Sequence, residues 1–264
     1  MEEFEDITLE RYESKSNWAI IIGLFSFMLI LFIIVLIATD PVIVIFINPT
    51  VAQTANPIVY FWNVFFLILS DILSYSYIVI VIVLFFLSFV EIEQLAFLKK
   101  YRFILLIACL SGFFTQITVN VLKIVIQKPR PYETFPDLIH IFSHLSTSYS
   151  FPSGHTASAF GFLIPIILYQ DKTWKKIPIL VIPIAVGFSR VYLGVHYLSD
   201  VIGGMLIGTS FSIIIALVMF KLRNMKSEKV YNFKGYEIPS KQLLFLILAT
   251  VFLFIFLGTE ILLG

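Results

Sequence analysis

Seven apolar runs recur along this chain, most of them close to the length a bilayer demands. They occupy residues 18–38, 75–90, 103–126, 155–169, 177–188, 198–220 and 243–263. A membrane-crossing helix needs about 20 mostly apolar residues. Inside hydrocarbon, a helix satisfies every backbone polar group within its own segment, so runs of this kind fold as helices. Composition agrees: 59% of the residues are hydrophobic and 13% charged, where a soluble domain carries about 25% charged residues. The expected fold is all-α, a polytopic transmembrane helical bundle in one domain. The fourth and fifth runs are short and are expected to extend into the polar residues at their ends. Residues 57–70 are apolar too, but lie between Pro57 and Asp71; they read as a surface or re-entrant helix. The first run follows an acidic head and is too long for a leader's apolar core, so no cleavable signal peptide is expected. The single cysteine, Cys109, excludes an intramolecular disulfide and argues against a cysteine metal site.

Lysine and arginine orient the runs, because cytoplasmic loops carry their excess. Fourteen of the 18 Lys and Arg residues fall before residue 18 or within 91–102, 170–176 and 221–241, whereas 39–74 holds none. Alternate connections are therefore basic. This predicts a cytoplasmic N-terminus and, with seven spans, an external C-terminus. The six Asp and Glu residues of the head weigh little in this rule. The net charge of +1 points to no nucleic-acid partner. The basic stretch 221–241 would also suit anionic lipids of the inner leaflet.

The other four cations are Lys123, Lys128, Arg130 and Arg190. All fall at the predicted outer surface, as do the chain's four histidines, His140, His144, His155 and His196. Ionisable groups near membrane depth are costly and therefore mark function. Three pieces carry them. In KIVIQKPRP, residues 123–131, Lys123 sits about one turn before the helix end and Arg130 lies between two prolines. A residue before proline disfavours the helical region, so Arg130 can fold back toward Lys123, and two neighbouring cations call for an anion. Lys123 alone also reads as a snorkelling side chain. In PSGH, residues 152–155, Ser153 is a good N-cap, Gly154 a permissive backbone position, and the helix start an anion site. Ser153 and Gly154 would receive phosphate oxygens beside the titratable His155. An ordinary capped helix with an incidental histidine fits those four residues equally. In SRVYLGVHYLSD, residues 189–200, Asp200 follows His196 by four positions and shares its helical face. A carboxylate there fixes the imidazole tautomer, and Arg190 adds a forked donor for phosphate. Gly194 separates two helices so that Arg190 and His196 face one pocket. An interfacial ion pair is the plainer account of His196 and Asp200.

Together, K-x6-RP, PSGH and SR-x5-H-x3-D, in that order, resemble the three-part signature of the type-2 phosphatidic acid phosphatase superfamily. Every signature position between Lys123 and Asp200 is matched. The resemblance implies a six-span phosphatase core at 18–220 behind a cytoplasmic head at 1–17. A basic cytoplasmic loop at 221–242 and an appended span at 243–264 would follow. It also implies roles. His196 would attack phosphorus and become a phosphohistidine, and Asp200 would orient it. His155 would protonate the leaving oxygen and then activate water. Lys123, Arg130, Arg190, Ser153 and Gly154 would hold the phosphate oxygens, with no metal and no cofactor.

The expected activity is removal of a terminal phosphate from a lipid phosphate or diphosphate at the outer face of the cytoplasmic membrane. A polyprenyl diphosphate is the first choice of substrate. Phosphatidic acid or phosphatidylglycerophosphate is the nearer rival, and phosphotransfer to an alcohol a different reaction. An inactive lipid-binding or transport relative is the non-enzyme reading, against which the intact His155, His196 and Asp200 argue. The expected partners are the lipid substrate and membrane lipids; the oligomeric state stays open. His140 and His144 have a metal-binding spacing for a helix but no evident third ligand.

Overall fold

The computed structural model describes residues 15–49, 53, 56–90, 92–143, 145–224, 230–233 and 236–239. The expected span at 243–263, residues 1–14 of the head and His144 lie outside them. The helices are α1 (Lys15–Ala38), α2 (Asp40–Ile47), α3 (Pro57–Leu67), α4 (Ser74–Leu87), α5 (Arg102–Ile126), the single turn α6 (Pro131–Thr134), α7 (Gly154–Tyr169), α8 (Thr173–Tyr192) and α9 (Leu198–Asn224). The 3-10 stretch Glu93–Tyr101 leads into α5. By length and apolarity, Glu93–Thr134 and Leu198–Arg223 are each sufficient to cross a membrane, and shorter apolar helices accompany them.

Helix α7 is the centre of the bundle. It packs between α5 and α9, with α8 also against it, while α1 lies on α9 and α4 on α5. The α7–α9 approach is close because of Gly208, where an added Cβ would come within 2.4 Å of the Ala157 carbonyl oxygen and 2.8 Å of the Gly161 nitrogen. Small residues let helix backbones meet in this way in membranes. The core that results holds Leu106, Ile107, Ala108, Phe113, Ala159, Phe160, Phe162 and Phe220, all buried. A second, smaller cluster of Val44, Tyr132, Ile139, Val191, Leu193, Val195 and Tyr197 joins the site end of the bundle.

Two local features differ from the expectations, and a third, the end of α5, falls where the apolar run 103–126 placed it. Residues 57–70 do not form a separate piece: α3 runs into α4 through the π-helical turns Ile68–Leu73. Apolar side chains on both sides of Asp71 keep the helix favourable, so one carboxylate does not end it. Helix α5 ends ahead of its prolines. Gln127 adopts φ 51° and its N–H donates to the Lys123 carbonyl at 3.0 Å. Lys128 precedes Pro129 and is steered out of the helical region, so the chain must leave the helix one residue earlier. The stretch 221–242 is not simply loop. Helix α9 continues to Asn224, and an antiparallel hairpin pairs β1 (Val230–Phe233) with β2 (Tyr236–Pro239). Lys221 and Arg223 continue a helix readily, and their charges suit its C-terminus.

Candidate active site

The α8–α9 connection carries the central imidazole. Gly194 turns the chain at φ 74°; a Cβ there would meet the Ile139 side chain at 2.7 Å and the Asn48 amide nitrogen at 2.9 Å. The turn is closed by the amides of Val195 and His196, each donating to the Arg190 carbonyl at 3.2 Å. His196 is thereby buried, with 1% of its surface accessible. Its Nδ1 lies 3.3 Å from Asp200 Oδ2, and its Nε2 lies 3.5 Å from Arg130 Nη1. Donation from Nδ1 to the carboxylate leaves the Nε2 lone pair facing the guanidinium. Burial first, then the charges of Arg130, Lys123, Arg190 and Lys128, hold the His196 imidazole well below its usual titration range.

Asp200 is fully buried and gathers donors on both oxygens. Oδ2 accepts from the Tyr197 amide at 2.9 Å and from the Ser150 hydroxyl. Oδ1 accepts from Lys128 Nζ at 2.9 Å. The start of α7 is tied to the same place, because the Ser153 amide donates to the Asp200 carbonyl at 3.0 Å.

Arg130 is held by its surroundings rather than by one partner. Its Nε donates to the Ser148 carbonyl at 2.7 Å and Nη1 to the Val195 carbonyl at 2.9 Å. Its Nη2 reaches the hydroxyls of Ser146 at 3.0 Å and Ser148 at 3.1 Å. Lys123 Nζ shares the Ser148 hydroxyl, at 3.1 Å, and also donates to the Tyr149 carbonyl at 2.6 Å. Two cations thus converge on one neutral oxygen, the arrangement an anionic oxygen would suit better.

The residues singled out in the sequence are therefore gathered to different degrees. His196, Asp200 and Arg130 are in direct contact, and Lys123 joins them through Ser148. His155 stands in the first turn of α7, where Arg190, His196, Lys123 and Arg130 act on it electrostatically. Arg190 is buried and donates from Nη1 to the hydroxyl of Ser70, on the π-helical turns. Ser153 takes the N-cap position of α7, but its hydroxyl, fully buried, pairs with Thr156 Oγ1 at 2.9 Å. Gly154 is not required by backbone strain: an added Cβ would find ordinary contact distance, 3.6 Å, to Val119. The glycine that the turn demands is Gly194.

Sequence reasoning missed Lys128 as a site residue, together with Asp40, Ser146, Ser148, Ser150 and Ser199. Lys128 carried a signal, as a cation on the outer side between the two motif residues of its segment. Asp40, an acid between apolar runs, carried a weaker one. The serines had none. The metal spacing of His140 and His144 presumes a helix, whereas residues 138–143 are irregular. The His140 amide instead donates to Asn48 Oδ1 at 2.8 Å, and its ring lies against Phe142. Among the described residues no three His, Cys, Asp or Glu side chains gather as a metal site.

Residues 104–224 match the family model described as the PAP2 superfamily. The chain is 37% identical over 125 residues to phosphatidylglycerophosphatase B of Bacillus subtilis, covering 44% of this chain and 54% of that protein. It is 32% identical over 114 residues to an undecaprenyl-diphosphatase of Sulfolobus acidocaldarius, covering 43% and 54%. The chain spans about half the length of these curated relatives. The crystal structure of a transmembrane PAP2-type phosphatidylglycerolphosphate phosphatase from Bacillus subtilis superposes with a TM-score of 0.50 at 26% identity. That match covers 78% of this chain and 98% of that one.

Proposed function

Since this chain belongs to the PAP2 superfamily, we propose that it is a membrane lipid phosphatase working through a phosphohistidine on His196. The observation that carries the reading is the two-sided placement of that imidazole. Nδ1 faces the Asp200 carboxylate, and Nε2 faces Arg130 at 3.5 Å. A phosphate drawn to Arg130 meets the Nε2 lone pair.

In the first step Nε2 bonds to phosphorus while the ester or anhydride oxygen leaves with a proton from His155. In the second, His155 takes a proton from water, whose oxygen displaces His196 and releases phosphate. Lys123, Arg130 and Arg190 balance the charge of the equatorial oxygens, which is the main work in phosphoryl transfer. The amides opening α7 at Ser153 and Gly154 lie at a helix N-terminus, where anions are favoured. All these roles fall to protein groups.

The substrate is a lipid whose phosphate reaches the outer face of the cytoplasmic membrane, with a polyprenyl diphosphate as first choice. Similarity to an undecaprenyl-diphosphatase supports that choice. Phosphatidylglycerophosphate is the second reading, favoured by the phosphatidylglycerophosphatase relative and the related crystal structure.

Purified protein should release phosphate from a panel of undecaprenyl diphosphate, phosphatidylglycerophosphate and phosphatidic acid. His196→Ala should cost at least about 10³-fold and His155→Ala about 10²-fold or more. An active His196→Ala protein would falsify the mechanism; phosphatidylglycerophosphate cleaved fastest would replace the first-choice substrate. The outward orientation is checked with Leu145→Cys, at an exposed position of the site loop, since Cys109 is buried. An impermeant thiol reagent should label it on intact cells, and protection would reverse the topology.

A further inference from the structure

Asp40 opens α2 at the corner after α1, far in sequence from every motif, yet it reaches the site. Its Oδ2 accepts from Lys128 Nζ at 3.0 Å and from the Ser199 hydroxyl, and its Oδ1 accepts from the Ser199 amide at 3.0 Å. Lys128 Nζ in turn donates to Asp200 Oδ1 at 2.9 Å and to Ser199 Oγ at 2.7 Å, and it lies 4.1 Å from the Tyr197 ring centre. One ammonium therefore stands between two carboxylates. One of them, Asp200, orients His196.

We propose that Asp40 is a positioning residue that acts through Lys128 and Ser199. It locks the first turn of α9, and so the Asp200 carboxylate, against His196. It also shares the lysine's charge, so that Asp200 is not neutralised by it. This rests on the reading of His196 as nucleophile.

The physical argument is one of charge count. Asp40, Lys128 and Asp200 together carry one net negative charge beside the imidazole. Without Asp40, the Lys128 charge falls on Asp200 alone and the trio becomes neutral. The imidazole then has less support for the positive charge it develops on attack. Without Lys128, both carboxylates act unopposed. The other charged or titratable groups facing His196 are Arg130, Lys123 of α5, Arg190 of α8 and His155 of α7. None is altered by either change, so the two substitutions should displace the His196 titration in opposite directions.

The test uses the full chain in detergent, as wild type, Asp40→Asn, Lys128→Met and the double variant. Two readouts are taken. One is kcat and KM against pH on the lipid phosphate that the wild type hydrolyses fastest. The other is the ring ¹⁵N titration of His196 in histidine-labelled protein, from about pH 4 to 8. Asp40→Asn should move the acid limb and the ring midpoint down by about one pH unit, and Lys128→Met should move both up by a similar amount. The double variant should return near the wild type. In Asp40→Asn, kcat should fall about tenfold with KM within about twofold. If Asp40→Asn does not fold, the upward movement in Lys128→Met decides. That side chain is a quarter exposed and outside the core.

Displacement in the same sense in both variants, or none in either, overturns the inference. So does an Asp40→Asn protein that is merely less stable with an unmoved midpoint. A wild type that hydrolyses no lipid while the ring midpoints still part company would leave this electrostatic arrangement standing and sink the phosphatase reading alone.

Discussion

Helices α5, α7 and α9 differ from α1 and α3–α4 in how they meet their neighbours. The first three bury continuous stretches of side chains, 104–113 of α5, 156–165 of α7 and 199–204 of α9, with backbones in near contact at Gly208. The outer helices turn large apolar side chains outward, among them Phe27, Ile30, Ile58 and Phe61. In a membrane protein that surface meets lipid tails, and association gains little from hydrophobicity alone. The central trio is accordingly held by shape. The periphery adds, to packing such as that of Tyr77, Val81 and Phe85 of α4 on the core, polar anchors that include Asp40 on Ser199 and Lys128, and Ser70 under Arg190. Both anchors end at the site. Elements outside the central trio thus reach the candidate site through a few side chains.

That contrast can be broken hardest at its centre. Gly208→Val should remove folded, active protein almost entirely, because the obstructing atoms are backbone of α7, and overpacking of this kind costs about 1–3 kcal/mol or more. Yield of monodisperse protein and the unfolding midpoint would report it, and a near-normal midpoint would refute the close-contact account.

Acid should act next. The His196 imidazole is depressed in the folded protein, so the unfolded chain takes up its proton first. Stability is then full above about pH 6.5. It declines below that by at most about 1.4 kcal/mol per pH unit, until the folded protein also protonates. His196→Gln should flatten this decline; an unchanged slope would assign it to other groups.

Loss of the peripheral anchor at Ser70 should be milder. Ser70→Ala leaves Arg190 charged but less well placed, with activity down roughly three- to tenfold and stability nearly unchanged. Ile30→Ala, on the exposed face of α1, should change the unfolding midpoint least, within about 0.5 kcal/mol. A larger effect than that of Ser70→Ala on activity would erase the distinction between anchor and lipid-facing surface.

The bundle was legible in the sequence where hydrophobic length and chain punctuation coincide. The run at 155–169 became Gly154–Tyr169, and that at 198–220 became Leu198–Asn224. His196 and Asp200 were readable because four residues on one helix is a local relation. Arg130 was readable as a neighbour of His196, though not the serines that seat it, since Ser146 and Ser148 belong to an irregular segment with no periodicity. Asp40 and Lys128 were illegible as partners because 88 positions separate them. The π-helical turns were hidden too, as the same apolar residues fit an ordinary helix.

Those turns, Ile68–Leu73, have a consequence for how this chain tolerates change in length. A π turn takes up about one residue more than an α turn. Deleting one residue there would let 57–87 close into a regular helix with its backbone bonding intact. The flanking segments would keep nearly the same rotation about the axis, because the lost residue is the one the wider turn absorbs, and the change would fall on Ser70, whose hydroxyl inside the turn would move off the Arg190 guanidinium. The helix would survive the deletion whole, and the site would lose the seat of one cation.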